Sequence, residues 1–244
     1  MSWKAEIQDA LYLNFGVEQE EVDRLVPSPV QLDTRMYRGQ EWGFFSLILY
    51  RYESIQHSWL SWPSFSYPQA NLRLYVKNAF DEPALYFKRM FVPGLYSTLS
   101  RWYTGQPISK MSLQFPNRVH PGGEYRWKLR GRGEGDVQGK VLNQKSFTGD
   151  LKNIFDTDRE FVDFFRQRGE GFYGVRNDQV SRVQVSADYG SYYTFRPGEW
   201  ELGFLAEDLE RHSFPEAIHA NFLCPELSFE FDSPESVPIE GSLQ

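Results

Sequence analysis

The chain has 244 residues, 41% of them hydrophobic and 24% charged, which is enough to bury a sizeable core and far from a disordered composition. A net charge of −7 and a pI near 5.2 weigh against nucleic-acid or anionic-membrane partners. The single Cys224 excludes an internal disulfide and a thiolate-rich zinc site, and no apolar run is long enough to span a bilayer.

Aromatic residues make up 17% of the chain, with 20 Phe, 14 Tyr and 7 Trp. Such side chains fit pleated, half-buried surfaces and point to a mainly β protein. The first nine residues lack the apolar core of a signal peptide, so a cytoplasmic location is expected. Val17 to Val26 reads as a short amphipathic helix that stops at Pro27. Trp42 to Tyr50 is apolar on both faces and reads as a central, doubly covered strand. Gln69 to Val76 alternates, with Ala70, Leu72, Leu74 and Val76 on one face and Gln69, Asn71, Arg73 and Tyr75 on the other. Asp81-Glu82-Pro83 turns the chain into a strand over Ala84 to Val92.

Pro93 then opens a helix that Gly105 ends, and Ser109 to Phe115 returns to strand. Glu124 to Arg130 alternates cleanly, and Gly131 to Asp136 turns it into a partner strand ending near Leu142. Thr157-Asp-Arg-Glu160 has capping-box spacing at the start of a helix, with Phe161, Phe164 and Phe165 as its apolar stripe and Gly169 as its end. Strands are expected over Val180 to Ala187, Glu199 to Leu205 and Leu227 to Phe231. The acidic tail, 233–244, is expected to fray. With no repeat or linker, this predicts one α+β domain over 1–244 (core about 15–232), built on a β-barrel or sandwich.

Four passages carry a family resemblance. Ser100-Arg-Trp-Tyr-Thr-Gly-Gln-Pro-Ile-Ser-Lys110 resembles the central signature of the acetoacetate decarboxylase-like superfamily. Leu32 to Ser46, Gln69 to Val76 and Glu160 to Tyr173 are similar to its uncharacterised YqjF-like branch, in the expected order. The resemblance implies a closed β-barrel or cone with about three covering helices around a cavity for a small organic ligand. It leaves a homo-oligomer open and calls for no cofactor.

Catalytic members of that superfamily read Gly-x-Pro-Lys-Lys, and the first lysine forms a Schiff base with a ketone. Here the two lysine positions hold Ile108 and Ser109, and where relatives have Tyr-x-Glu this chain has Tyr67-Pro68-Gln69. A lysine nucleophile needs a depressed pKa before it attacks a carbonyl, and losing the lysine, its cationic neighbour and the carboxylate removes that mechanism. The leading expectation is therefore a small-molecule-binding barrel for an anionic or carbonyl-bearing ligand, with Gln69, Asn71, Arg73, Ile108, Lys110 and Tyr173 at the site. One alternative is a carbonyl lyase in which Lys110, two residues beyond Ile108 and on the same strand face, replaces the lost lysine. Another is an interaction or scaffold protein with a vestigial cavity. If the Gln69–Arg73 face looked outward, it would be an ordinary solvated face.

Other patterns point nowhere. The four histidines, His57, His120, His212 and His219, lack metal-ligand spacing. The basic strip Arg126, Lys128, Arg130 and Arg132 has its aromatics on the opposite face, as in the outer side of a hairpin.

Overall fold

The computed structural model describes residues 2–27, 30–57, 64–94, 96–97, 106–116, 123–131, 135–144, 152–176, 179–201, 203–205 and 218–238. The strands are β1 (Ser2–Glu18), β2 (Gln31–Leu32), β3 (Arg35–Tyr37), β4 (Gln40–His57), β5 (Tyr67–Lys77), β6 (Pro83–Val92), β7 (Ile108–Lys110) and β8 (Ser112–Gln114). They continue with β9 (Glu124–Arg130), β10 (Val137–Gln144), β11 (Glu170–Arg176), β12 (Gln179–Tyr189), β13 (Tyr193–Glu201), β14 (Ile218–Asp232) and β15 (Glu235–Pro238). The α-helices described over their full length are α1 (Gln19–Asp23) and α2 (Asp158–Arg166), with a 3-10 turn at Lys152–Ile154. None is long and apolar enough to cross a membrane.

Seven strands form a ring in the order β12, β11, β6, β5, β4, β1, β14, which returns to β12 where Val185–Tyr189 pair with Leu227–Phe231. The expected closed β architecture is thus present. Pairings are antiparallel except for β6 with β11 and β6 with β7. From β14 a second run of strands, β13, β10, β9 and β8, leaves the ring as an arm.

The central parts of β1, β4 and β5 are buried on both sides because each side has its own core. One face of β1, β4 and β5, carrying Leu11, Leu13, Leu47, Leu49, Leu72 and Leu74, packs against Trp127, Leu129 and Phe195 of the arm. The other face carries Tyr12, Phe44, Ile48, Tyr50, Tyr75, Met90 and Ile108, and α2 lays Phe161, Phe164 and Phe165 on it. A bulge in β1 at Asp9, with φ 52°, lets Ile7 and Ala10 share that second face despite their opposite parity.

Several expectations shift by local competition. The helix expected over Val17–Val26 shrinks to α1, because β1 runs on through Val17 to Glu18, paired with Gly43 and Trp42 of β4. Gly43 eases that approach, since a Cβ there would lie 3.2 Å from Val22 and would push it back by a few tenths of an ångström. The strand expected over Ser109–Phe115 breaks at Met111, whose N–H donates to Val92 O at 2.9 Å while its side chain joins the arm-side core. Glu199–Leu205 is not one strand: β13 begins at Tyr193 and ends at Glu201, and Phe204 and Leu205 are buried beyond it.

The tail does not fray from Ser233. β15 pairs with Gln179–Arg182, and the Glu235 carboxylate accepts from the Arg182 guanidinium; residues 239–244 lie outside the described set. The helix at Pro93 begins as expected, with the N–H groups of Tyr96 and Ser97 on Pro93 O at 3.0 Å, but Gly105 is outside the described residues. α2 starts at its Thr157 cap, which accepts from Glu160 N at 3.0 Å, while the Glu160 carboxylate accepts from Asp156 N. It ends at Arg166, three residues before Gly169.

Candidate functional site

β5 is the strand on which polar residues meet burial. Its alternation commits Gln69, Asn71, Arg73 and Tyr75 to the face that α2 covers, so these polar side chains are enclosed. Arg73 is only 6% exposed. Its Nη2 donates to Phe165 O at 2.6 Å and to the Tyr75 hydroxyl at 2.9 Å, and its Nε to the same hydroxyl at 3.2 Å. The guanidinium also lies 5.2 Å from the ring centre of Tyr12 and 5.3 Å from that of Tyr75. Among the described residues no carboxylate pairs with it.

Because a guanidinium only donates, the direction of the chain is set. Arg73 donates to Tyr75, the Tyr75 hydroxyl lies 2.8 Å from Ser46 Oγ, and Ser46 donates to Asn14 Oδ1 at 2.6 Å. A second chain lies further along β5: Gln69 Nε2 donates to Asn71 Oδ1 at 2.8 Å, and Asn71 Nδ2 to the Tyr50 hydroxyl at 3.0 Å. Both chains are buried. Asn14 and Ser46 were missed in the sequence, although each is a polar residue inside an otherwise apolar run, which is the available signal for a polar group facing a core.

Ile108 joins this face. Asn71, Met90 and Ile108 stand side by side across β5, β6 and β7, and Ile108 is buried. Lys110 does not follow it. It is exposed and lines a groove of about 350 Å³ with Pro68, Gly94, Met111, Leu113 and Arg130, of which Met111 and Leu113 belong to the arm-side core. β7 is only three residues long and the chain turns at Met111, so equal parity does not keep Ile108 and Lys110 in one space. Tyr173 is fully buried and is hydrogen-bonded to Ser181, its partner across on β12.

Two features beside Arg73 had no signal in the sequence. Arg168, just past α2, forms a buried ion pair with Asp33 at 2.5 Å and donates Nε to Phe164 O at 2.9 Å. Burial pulls the Arg168 pKa down, and Asp33 opposes that. A cleft of about 940 Å³ lies between the end of α2 and β12, bordered by Asp163, Arg166, Ser186, Tyr189 and Tyr192. Tyr189 both borders this cleft and packs against the α2-side core.

Among the described residues no group of His, Cys, Asp or Glu is arranged to hold a metal ion. His120 and His212, and the side chains of His57 and His219, lie outside them. In the basic strip, Lys128 and Arg130 both pair with Asp136, and Arg126 with Glu124, as on a solvated hairpin; Arg132 is outside the described residues.

The enclosure leaves a mark on titration. Burial pushes the Cys224 thiol up to about 11 from 9.0, against an opposing pull from Arg166 and Arg73, and burial likewise raises Tyr12, Tyr50 and Tyr52. A raised folded pKa means the folded protein holds its proton more tightly than the unfolded chain. The stability is whole below about pH 9 and drains as pH rises toward about 11. For the thiol alone the loss, spread between about pH 9 and 11, is on the order of 3 kcal/mol. Melting curves between pH 8 and 11 should fall steeply above 9, and a Cys224→Ala variant should lose part of that slope; an unchanged slope would remove the thiol from the account.

Residues 4–186 match the family DUF2071, described as an uncharacterized conserved protein (COG2071). No curated protein matches the sequence. Solved structures do match in fold. The enduracididine biosynthesis enzyme MppR, complexed with pyruvate, aligns with a TM-score of 0.65 at 12% identity over 98% of this chain and 91% of that one. An acetoacetate decarboxylase-like enzyme from Sphingomonas wittichii RW1 gives 0.64 at 12% identity, covering 98% and 93%. Acetoacetate decarboxylase gives 0.62 at 8% identity, covering 99% and 91%. The ring, its arm and α2 are thus an acetoacetate decarboxylase-like fold, and since the family match spans most of the sequence, the chain belongs to the DUF2071 family.

Proposed function

We propose that this chain binds a small carboxylate or carbonyl-bearing anion beneath α2, with Arg73 as the anchor and Asn71 and Gln69 as orienting amides, and without forming an imine. The observation that carries this reading is a buried guanidinium with no carboxylate partner among the described residues. Burying an unpaired charge is costly, so such a group calls for an anion. The Phe165 carbonyl occupies a position on the guanidinium that a ligand oxygen would take. A carboxylate would displace that carbonyl and accept two parallel N–H bonds from the fork. That one structural neighbour was complexed with pyruvate supports the class of ligand and nothing finer.

The lyase alternative loses ground because Lys110 lies in the exposed groove, whereas a Schiff-base lysine needs a desolvated or cation-flanked site. The test is a thermal-shift panel of pyruvate, acetoacetate and simple carboxylates, followed by borohydride treatment with the ketones. Stabilisation by at least one acid and no covalent mass adduct are expected. A borohydride-trapped adduct on Lys110 would restore the lyase reading. No stabilisation by any member would favour a scaffold with a vestigial cavity.

A further inference from the structure

The cleft at the end of α2 turns on a different cation. We propose that it is a second binding site, for the phosphate or carboxylate head of an organic ligand with an aromatic or otherwise apolar body, and that Arg166 holds the head group. Arg166 is 7% exposed, and among the described residues no carboxylate pairs with it. Among the described residues its Nε has no partner, and the guanidinium donates one hydrogen bond, from Nη2 to Gly190 O at 3.1 Å. The guanidinium lies 4.4 Å from the centre of the Tyr189 ring, which holds it in place at the wall of the cleft.

An ordinary reading would make Arg166 a cap for the carbonyls of its own helix. Those carbonyls are already served: Phe164 O accepts from Arg168, Phe165 O from Arg73, and Arg166 O from the Tyr189 hydroxyl. The negative end of α2 is therefore neutralised by other residues. The remaining charges along the cleft also cancel in pairs. Among the charged residues that line the cleft, Arg159 lies 3.5 Å from Asp163 and Arg168 is matched by Asp33, which leaves Arg166 as the lining cation with no paired acid among the described residues. Asp158 and Asp163 lie close enough to Tyr192 to add to the rise that burial gives its pKa, and Arg166 lies close enough to oppose it.

Around Arg166, the cleft offers the neutral donors Ser186, Ser191 and Gln167, and Val185 and Tyr192 as apolar wall. A buried fork beside hydroxyl and amide donors is an oxyanion's environment. At about 940 Å³ the cleft is far larger than a bare phosphate needs and falls in the size range of organic-ligand pockets.

Phenyl phosphate and benzoate carry the same ring behind the two head groups, and calorimetric titration of each into the full chain tests the site. Binding of at least one is expected, and the tighter of the two names the head group. Arg166→Met should weaken it by roughly tenfold to a hundredfold, and Arg166→Lys by less. Ser186→Glu, at an exposed position facing the same cleft, should also weaken it by repulsion without disturbing Arg166, and serves if the methionine variant misfolds. Arg73→Met should leave this binding in place, so failure here and failure of the site beneath α2 are separable. No binding of either probe, binding equal in wild type and both cleft variants, or loss on Arg73→Met alone would overturn the proposal.

Discussion

Replacing Arg73 with methionine should abolish the stabilisation that a small carboxylate gives the wild-type chain, because the variant keeps the volume and removes the charge. A hydrogen bond to a charged group contributes about 1.5–3 kcal/mol, so affinity should fall roughly tenfold to a hundredfold. The ligand-free protein should change much less. Methionine gives up the bonds to Tyr75 and Phe165 O, but it also relieves the chain of an unpaired, desolvated cation, and the two effects oppose each other. Thermal melts of both proteins, with and without pyruvate, separate the outcomes. If the ligand-free midpoint drops by more than roughly 10 °C, Arg73 is a structural cation that caps α2, and the binding assignment fails.

The largest loss of stability should come from Asp33→Ala. Its side chain and that of Arg168 are 3% and 1% exposed and 2.5 Å apart, and they tie the loop after β2 to the segment after α2 across 135 positions of sequence. Removing the acid alone leaves Arg168 charged and buried, a change that costs about 3–5 kcal/mol in comparable pairs. For a chain of this size the midpoint should fall by roughly 6–20 °C. The double variant Asp33→Ala with Arg168→Met should recover much of that, since neither charge is then stranded. If the single and double variants melt alike, the pair itself is not what holds the end of α2.

The two variants should also differ in kind. Arg168 donates to Phe164 O and Arg73 to Phe165 O, so the last turn of α2 hangs between two guanidinium ions. Losing Arg73 removes the anchor of the proposed site, whereas losing Asp33 loosens the helix that covers it. Ligand affinity should therefore fall with Arg73→Met at nearly constant stability, and stability should fall with Asp33→Ala at a smaller cost in affinity.

Much of this protein was legible along the chain because strand periodicity is local. Alternation in β5 and β9, the doubly apolar run in β4 and the Thr157 cap of α2 each depend on neighbours a few positions apart, and each is where it was expected. The signature around Ile108 likewise pointed to the fold, and the row Asn71, Met90, Ile108 agrees with it. Periodicity says that two faces differ, but not which one is dry. In β5 the polar face proved as buried as the apolar one, because α2, some 90 positions later, lies over it. The same limit separated Lys110 from Ile108, since the end of β7 is decided by Met111 bonding back to Val92. Closure of the ring through β12 and β14, the Asp33–Arg168 pair and the cleft beside Arg166 all join segments far apart in sequence. Such contacts form only when the whole sheet has closed, so tertiary packing alone decided them.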